Sequence, residues 1–316
     1  MSEPLSLKFG REVLATAAGA AGVTAAQAQV EVTLEEQRSE LTRFANNAIH
    51  QHAGDRELAL SVRTQIGGRT ARASTHRLDQ KGIEAAAERA LALTKVQADD
   101  AERLPMATAA EAAARPGVGT VQRYDATTAA ITPAQRADAV AAMVGAARRG
   151  KLTAAGICST SETRLALLNA NGLEAFHAAT SAEYSVTMLG ETSSGWAKGS
   201  SWRWDDLKPE AAAELARQKA EASSNPIEIA AQPYTVILEP AAVLDLLGFA
   251  MWDFGGQAVL YQRSFLCERL GTKLFGDNVS ISDNAGHALQ TGAPFDGEGM
   301  PRQRLQLVER GTVRDL

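Results

Sequence analysis

The residues of this chain that could do chemistry are few, and they are scattered. A catalytic metal site needs about three protein ligands and an open position. The five histidines are His50, His52, His76, His177 and His287. His50 and His52 flank Gln51 and would share one face of a strand, but no cluster of carboxylates or cysteines accompanies them. We read them as a surface hairpin. Asp296 and Glu298 stand between glycines in Phe295-Asp296-Gly297-Glu298-Gly299. Paired carboxylates can hold a cation or share a proton. At a spacing of two in a glycine-rich loop they more often form turns by accepting backbone N–H groups, and that is the reading here. Ser264 has no Gly-x-Ser-x-Gly elbow around it, which points to capping or backbone hydrogen bonding. Cys158 and Cys267 are far apart and in no CxxC spacing, so they read as buried thiols of a reducing cytoplasm rather than a disulfide. Gly67-Gly68 and Gly255-Gly256 are too short to cradle a phosphate.

The elements around these residues follow from periodicity and caps. Residues 7–20 read as a helix. Strands are expected at Gln29–Leu34, Leu41–Ala48, Leu58–Ile66 and Arg69–Thr75. Gly82–Ala98 is amphipathic, with Ile83, Ala87, Ala90, Leu91 and Leu93 on or near one face. Asp99–Gly117 reads as a linker in which 107–114 could wind into a helix. Thr132-Pro133-Ala134-Gln135 is a capping-box pattern with Pro at the first helical position, and the helix it starts should stop at Gly150. Further strands are expected at Leu152–Ser161, Thr163–Leu168, Leu173–Met188 and Ser193–Trp202. Asn169–Gly172 forms a hairpin turn, and Trp202 and Trp204 share a strand face. Leu207–Ala222 is a helix started from Asp205 or Asp206, and Asn225–Gln232 is a linker. Val236–Leu238 reads as a strand leading into a helix over Ala241–Met251. The fold class is α+β: mostly antiparallel sheets with flanking helices, then a β-rich C-terminal domain. The expected division is 1–106, 118–226 and 233–316. The first two blocks share an order of elements but show no residue-level repeat.

Composition narrows the function. Hydrophobic residues are 45% and charged residues 22% of 316, enough apolar material for a sizeable core. The net charge of −5 argues against nucleic acid as a partner. No apolar run reaches the ~20 residues of a membrane span. Leu14–Ala28 ends in Ala-Gln-Ala like a secretory segment, but Glu12 precedes it and its centre lacks leucines; an N-terminal helix is the reading.

Several segments together resemble one known family: Arg38–Asn47, Leu168–Leu173, Val236–Pro240, Arg263–Leu266, Gly271 with Lys273, Ile281–Asp283, Phe295–Pro301 and Leu307–Gly311. Their order is similar to that of the TldD/TldE (PmbA) peptidases. In the catalytic branch the helix after the strand carries His-Glu-x-x-x-His. Histidines five apart lie about 140° apart on a straight helix, so such a site would need a locally widened helix. Here those positions fall on Gly248, Phe249 and Asp253. The resemblance therefore implies the zinc-less TldE/PmbA branch, with no catalytic residue, cofactor or metal in this chain. It implies a TldD-like catalytic subunit as partner, zinc on that partner, and unfolded peptides as substrate; a homo-oligomer is the other association it allows. An active metallopeptidase with unusual ligands, or a stand-alone scaffold or fragment, is the alternative. Family members continue past an element like Leu307–Leu316, where the catalytic branch supplies a cysteine ligand, so an incomplete C-terminal domain is expected. The resemblance places Ser264, Asp296, Glu298 and Arg302 at a groove or interface, with Arg304 a further candidate for contacting partner or substrate.

Overall fold

The computed structural model describes residues 5–21, 29–119 and 122–316. The chain forms two compact units. One comprises Met1–Arg115, Gln122–Ile227 and Phe295–Met300; the other comprises Pro116–Val121, Glu228–Pro294 and Pro301–Leu316.

The first unit is built on one antiparallel sheet. Helix α1 (Leu7–Ala20) is capped by the Ser6 hydroxyl, which accepts from the Phe9 N–H. It precedes β1 (Gln29–Ala45), β2 (Ala48–Ile66), β3 (Arg69–Thr75) and α2 (Gln80–Val96). Two short helices follow, α3 (Ala109–Ala114) and α4 (Ala126–Ala129). Then come α5 (Pro133–Arg149), β4 (Thr153–Asn169), β5 (Glu174–Leu189), β6 (Ser194–Ser201) and α6 (Pro209–Ala222). The strand order is β3-β2-β1-β4-β5-β6. α5 begins with the capping box read from the sequence: Thr132 and Gln135 each satisfy the other's backbone N–H.

The two halves of this sheet repeat in their pairing, though not in their residues. Gln29 lies opposite Gln65 in β1–β2, and 124 positions later Thr153 lies opposite Leu189 in β4–β5. Leu60 opposite Thr75 recurs as Tyr184 opposite Gly199. The repeat is invisible in identity because only burial is kept. Leu34 and Phe44 correspond to Cys158 and Leu168, all buried and all on the helix-covered face. The first half buries its core under α1 and α2, around Val13, Val32, Leu60, Val62 and Ala87. The second does so under α5 and α6, around Val140, Met143, Val186, Met188 and Ala213.

Several boundaries differ from expectation. Gln29–Leu34 and the expected strand from Leu41 as far as Ala45 are one strand, β1; Asn46-Asn47 turns the chain and Ala48 already opens β2. The expected strands Leu152–Ser161 and Thr163–Leu168 likewise merge into β4, which starts at Thr153. The interruptions were polar residues, such as Glu36 and Glu40, that the sheet carries between its two cores. Trp202 and Trp204 do not share a strand face, because β6 ends at Ser201 and Trp204 opens a tight turn, Trp204–Asp206, packed on the second core. α6 starts at Pro209 after Lys208, without a side-chain cap from Asp205 or Asp206. Leu93 lies partly in solvent at the edge of the α2 stripe. Of the segment Leu14–Ala28, the part to Ala20 is helix α1, and residues 22–28 lie outside the described residues. Among the described residues no helix is long and apolar enough to cross a membrane.

The second unit holds α7 (Pro240–Met251), α8 (Gly256–Leu260) and a small antiparallel sheet of β7 (Ile281–Asp283), β8 (Leu305–Glu309) and β9 (Thr312–Val313). Phe254, Leu266, Leu307, Val308 and Val313 form its buried core. Val236–Leu238, expected as a strand, pairs with no strand among the described residues and is solvent-exposed. A run with strand propensity stays unpaired when no neighbouring strand supplies its ladder, since β preference is mostly side-chain packing on a sheet.

Candidate functional site

Helix α7 starts well, with Pro240 at its first position, and is apolar almost throughout. It buries none of its residues. Phe249 is 82% exposed and Trp252, just beyond the helix, 85%. A Cβ built on Gly248 would meet no atom within 4 Å. Asp253 sits in a tight turn, Trp252–Phe254, where its carbonyl accepts the Ser264 hydroxyl at 2.7 Å. The Ser264 oxygen in turn accepts the Leu266 N–H at 2.9 Å. Ser264 is therefore a turn clasp. Of the three positions where the sequence places the zinc motif, one has no side chain, one is a phenyl ring and one is a single carboxylate. That donor set does not fit zinc, which takes imidazole, thiolate or carboxylate on about three sides. Among the described residues no group of three or more His, Cys, Asp or Glu could hold a metal ion.

The histidines are separate. His50 and His52 are exposed on β2, and His52 Nδ1 is 2.8 Å from the Thr42 hydroxyl. Burial, with Arg123 nearby, depresses the pKa of His177. Both cysteines are free thiols. Burial pushes Cys158 up to about 12, so it is protonated and inert at neutral pH.

Asp296 forms the turn read from the sequence. Its Oδ1 accepts the N–H groups of Glu298 at 2.9 Å and Met300 at 3.0 Å. Gly299 closes it with φ +80°, and a Cβ there would lie 2.4 Å from Leu173 Cδ2, so glycine is required on both counts. Glu298 reaches Arg63 at 3.1 Å. Arg63 also binds Glu31 at 2.6 Å, and Arg72 takes the other Glu31 oxygen at 2.8 Å. Glu31 is wholly buried, and two guanidinium groups compensate its charge. In the second unit Arg302 grips Asp283 through both carboxylate oxygens, at 2.7 and 2.9 Å. Burial alone would raise the Asp283 pKa, but hydrogen bonds from Gln290 and Arg302 hold it below its ordinary value. The four residues assigned to a groove thus all make internal bonds.

Sequence reasoning missed the buried ion pairs. Arg63 and Glu31 sit on the strand face opposite the apolar one, where alternation predicts solvent. It also missed a trough of about 550 Å³ lined by residues that include Gly117, Asn284, Gly286, Gln303 and Arg304.

Two family profiles match the chain. The PmbA/TldA metallopeptidase domain 1 covers residues 30–94, and the PmbA/TldA metallopeptidase C-terminal domain covers residues 231–316. The chain belongs to the PmbA/TldD/TldE family. Solved structures share its fold. A proposed DNA gyrase modulator of Thermotoga maritima superposes with a TM-score of 0.84 at 18% identity, over 98% of this chain and 70% of that one. A second proposed DNA gyrase modulator, from Bacteroides thetaiotaomicron, gives 0.81 at 20% identity, over 100% and 72%. TldE of Thermococcus kodakarensis gives 0.81 at 15%, over 98% and 69%. An uncharacterized protein of Methanocaldococcus jannaschii is 34% identical over 83 residues, 25% of this chain. The match spans 20% of that relative's length. The α+β architecture is that of the PmbA/TldD/TldE fold.

Proposed function

We propose that this PmbA/TldD/TldE chain is a non-catalytic, TldE-like subunit that works with a zinc-bearing, TldD-like peptidase on unfolded peptides. One observation carries the reading. The positions that would hold the zinc ligands and the general base are Gly248, Phe249 and Asp253, and two of them offer no donor atom. Hydrolysis by a zinc-bound water needs the metal held and a carboxylate to take its proton. Those groups would sit on the partner, and the partner would also carry the cofactor. The apolar surface of α7 supports association. Contiguous exposed apolar area of this kind is uncommon on a monomer and marks interaction surfaces.

The test is reconstitution. The chain is mixed with a family member bearing His-Glu-x-x-x-His, passed over a sizing column and assayed on an unstructured peptide. The expected result is a complex whose hydrolysis greatly exceeds that of either chain alone. No complex, or full hydrolysis by the catalytic chain without this one, would count against the reading.

A further inference from the structure

We propose that the trough between Gly117, Gly286 and Arg304 receives an extended peptide bearing a carboxylate, whose charge is taken by Arg304. The inference rests on the peptide-handling reading and names the feature of the peptide that is recognised. The volume, about 550 Å³, lies in the ordinary range of ligand clefts. Its walls are close-packed backbone. The Val118 N–H donates to the Arg302 carbonyl at 2.9 Å. A Cβ on Gly117 would lie 2.9 Å from Pro301 Cβ, and one on Gly286 would lie 3.1 Å from the Val118 carbonyl oxygen. These glycines let three segments run together without side chains filling the space between them.

The chemistry of the lining fits a peptide with a negative group. Arg304 makes no hydrogen bond or ion pair among the described residues, whereas its neighbour Arg302 is committed to Asp283. Asn284 spends its Oδ1 on the Gly286 N–H at 3.0 Å, and its amide N–H₂ is without a partner among the described residues. The Gln303 side chain is likewise unpartnered there. The Asn284 N–H₂ can donate to a peptide C=O, and the Gln303 carboxamide can both donate to a C=O and accept an N–H of an extended backbone. One planar guanidinium suits one carboxylate, which it can hold through two parallel bonds. Arg304 is the one cation among the described lining residues, and one positive charge favours a monoanionic carboxylate.

The carboxylate could be a peptide C-terminus or an internal acidic side chain, and the test separates them. Fluorescence anisotropy on the whole 316-residue chain compares four labelled, unstructured peptides: an internal Glu or Gln, each with a free or an amidated C-terminus. At least one carboxylate-bearing form should bind roughly tenfold more tightly than the fully neutral peptide. The preference should shrink as salt rises. Arg304→Gln should abolish it, Arg304→Lys should retain part of it, and Gln303→Ala should weaken all four peptides. Arg89→Gln, which removes an equal charge from the exposed face of α2, should change nothing. Equal binding of all four peptides, no binding of any, or an unaltered preference in Arg304→Gln would overturn the proposal. Because no partner is added, its failure is distinguishable from failure of the subunit reading, which the reconstitution decides.

Discussion

Arg136 shows how a single side chain sets the character of the sheet. It lies on α5 and is buried to within 1%. It donates to Glu40 at 3.0 Å, to the Ile131 carbonyl at 3.1 Å, and to the Thr42 and Thr160 hydroxyls at 3.4 Å. Glu40 is held below its ordinary 4.5 chiefly by the hydrogen bond from Arg38; burial, the next largest effect, pushes the other way, and the hydrogen bond and charge of Arg136 add to the lowering. A depressed folded pKa contributes stability that is present above the unfolded value and is lost as pH falls through the folded one. Glu40→Gln would leave Arg136 buried without its counter-charge, and it should cost about 3 kcal/mol at pH 7. The gap between the urea midpoints of the two proteins should narrow as the pH falls below the ordinary carboxylate range and through the lowered folded pKa of Glu40. A gap that persists undiminished at pH 3 would show that the charge on Glu40 is not the cause.

At the scale of elements, close packing of helices on strands decides which substitutions matter. A Cβ at Gly195 on β6 would lie 1.9 Å from the Ala216 carbonyl oxygen and 2.5 Å from the Ala220 nitrogen of α6. Backbone cannot yield as a side-chain end can. Gly195→Ala should therefore cost about 3 kcal/mol, the upper end for overpacking. Gly19→Ala, on α1 with nothing within 4 Å of its Cβ, should stabilise by about 0.5 kcal/mol through helix propensity. Thermal unfolding of both variants checks the pair, and equal shifts would refute the packing argument. The same scale shows what could be read from residues alone. The capping box at Thr132, the Asn169–Gly172 turn and the α2 stripe are local signals, and they were legible. The continuity of β1 and β4 was not, because Glu36, Arg38 and Glu40 lie on the helix-covered face in a gap between two cores. That gap exists only once the halves pair as β1 with β4. The residue types at the motif positions, Gly248, Phe249 and Asp253, are read directly from the sequence, and their exposure is not. The trough was not legible, because Gly117, Asn284 and Arg304 are brought together by loops with no periodicity.

For the whole molecule, the feature of most consequence is apolar surface facing water. Ile237 is 97% exposed, and Leu244, Leu246, Phe249 and Trp252 follow along one short stretch. A fluorescent apolar dye should bind the isolated chain, and adding a catalytic family member should displace it. Phe249→Lys with Leu246→Lys should reduce dye binding while moving the unfolding midpoint by less than about 0.5 kcal/mol, because neither side chain is buried. Unchanged dye binding in that variant would place the apolar surface elsewhere. The central claim, that this chain cannot hold the hydrolytic metal, is tested most directly by titrating the purified full chain with zinc in a calorimeter. The account predicts no stoichiometric site in the wild-type protein and the same trace for Asp253→Ala. One zinc bound per chain, lost in Asp253→Ala, would contradict it.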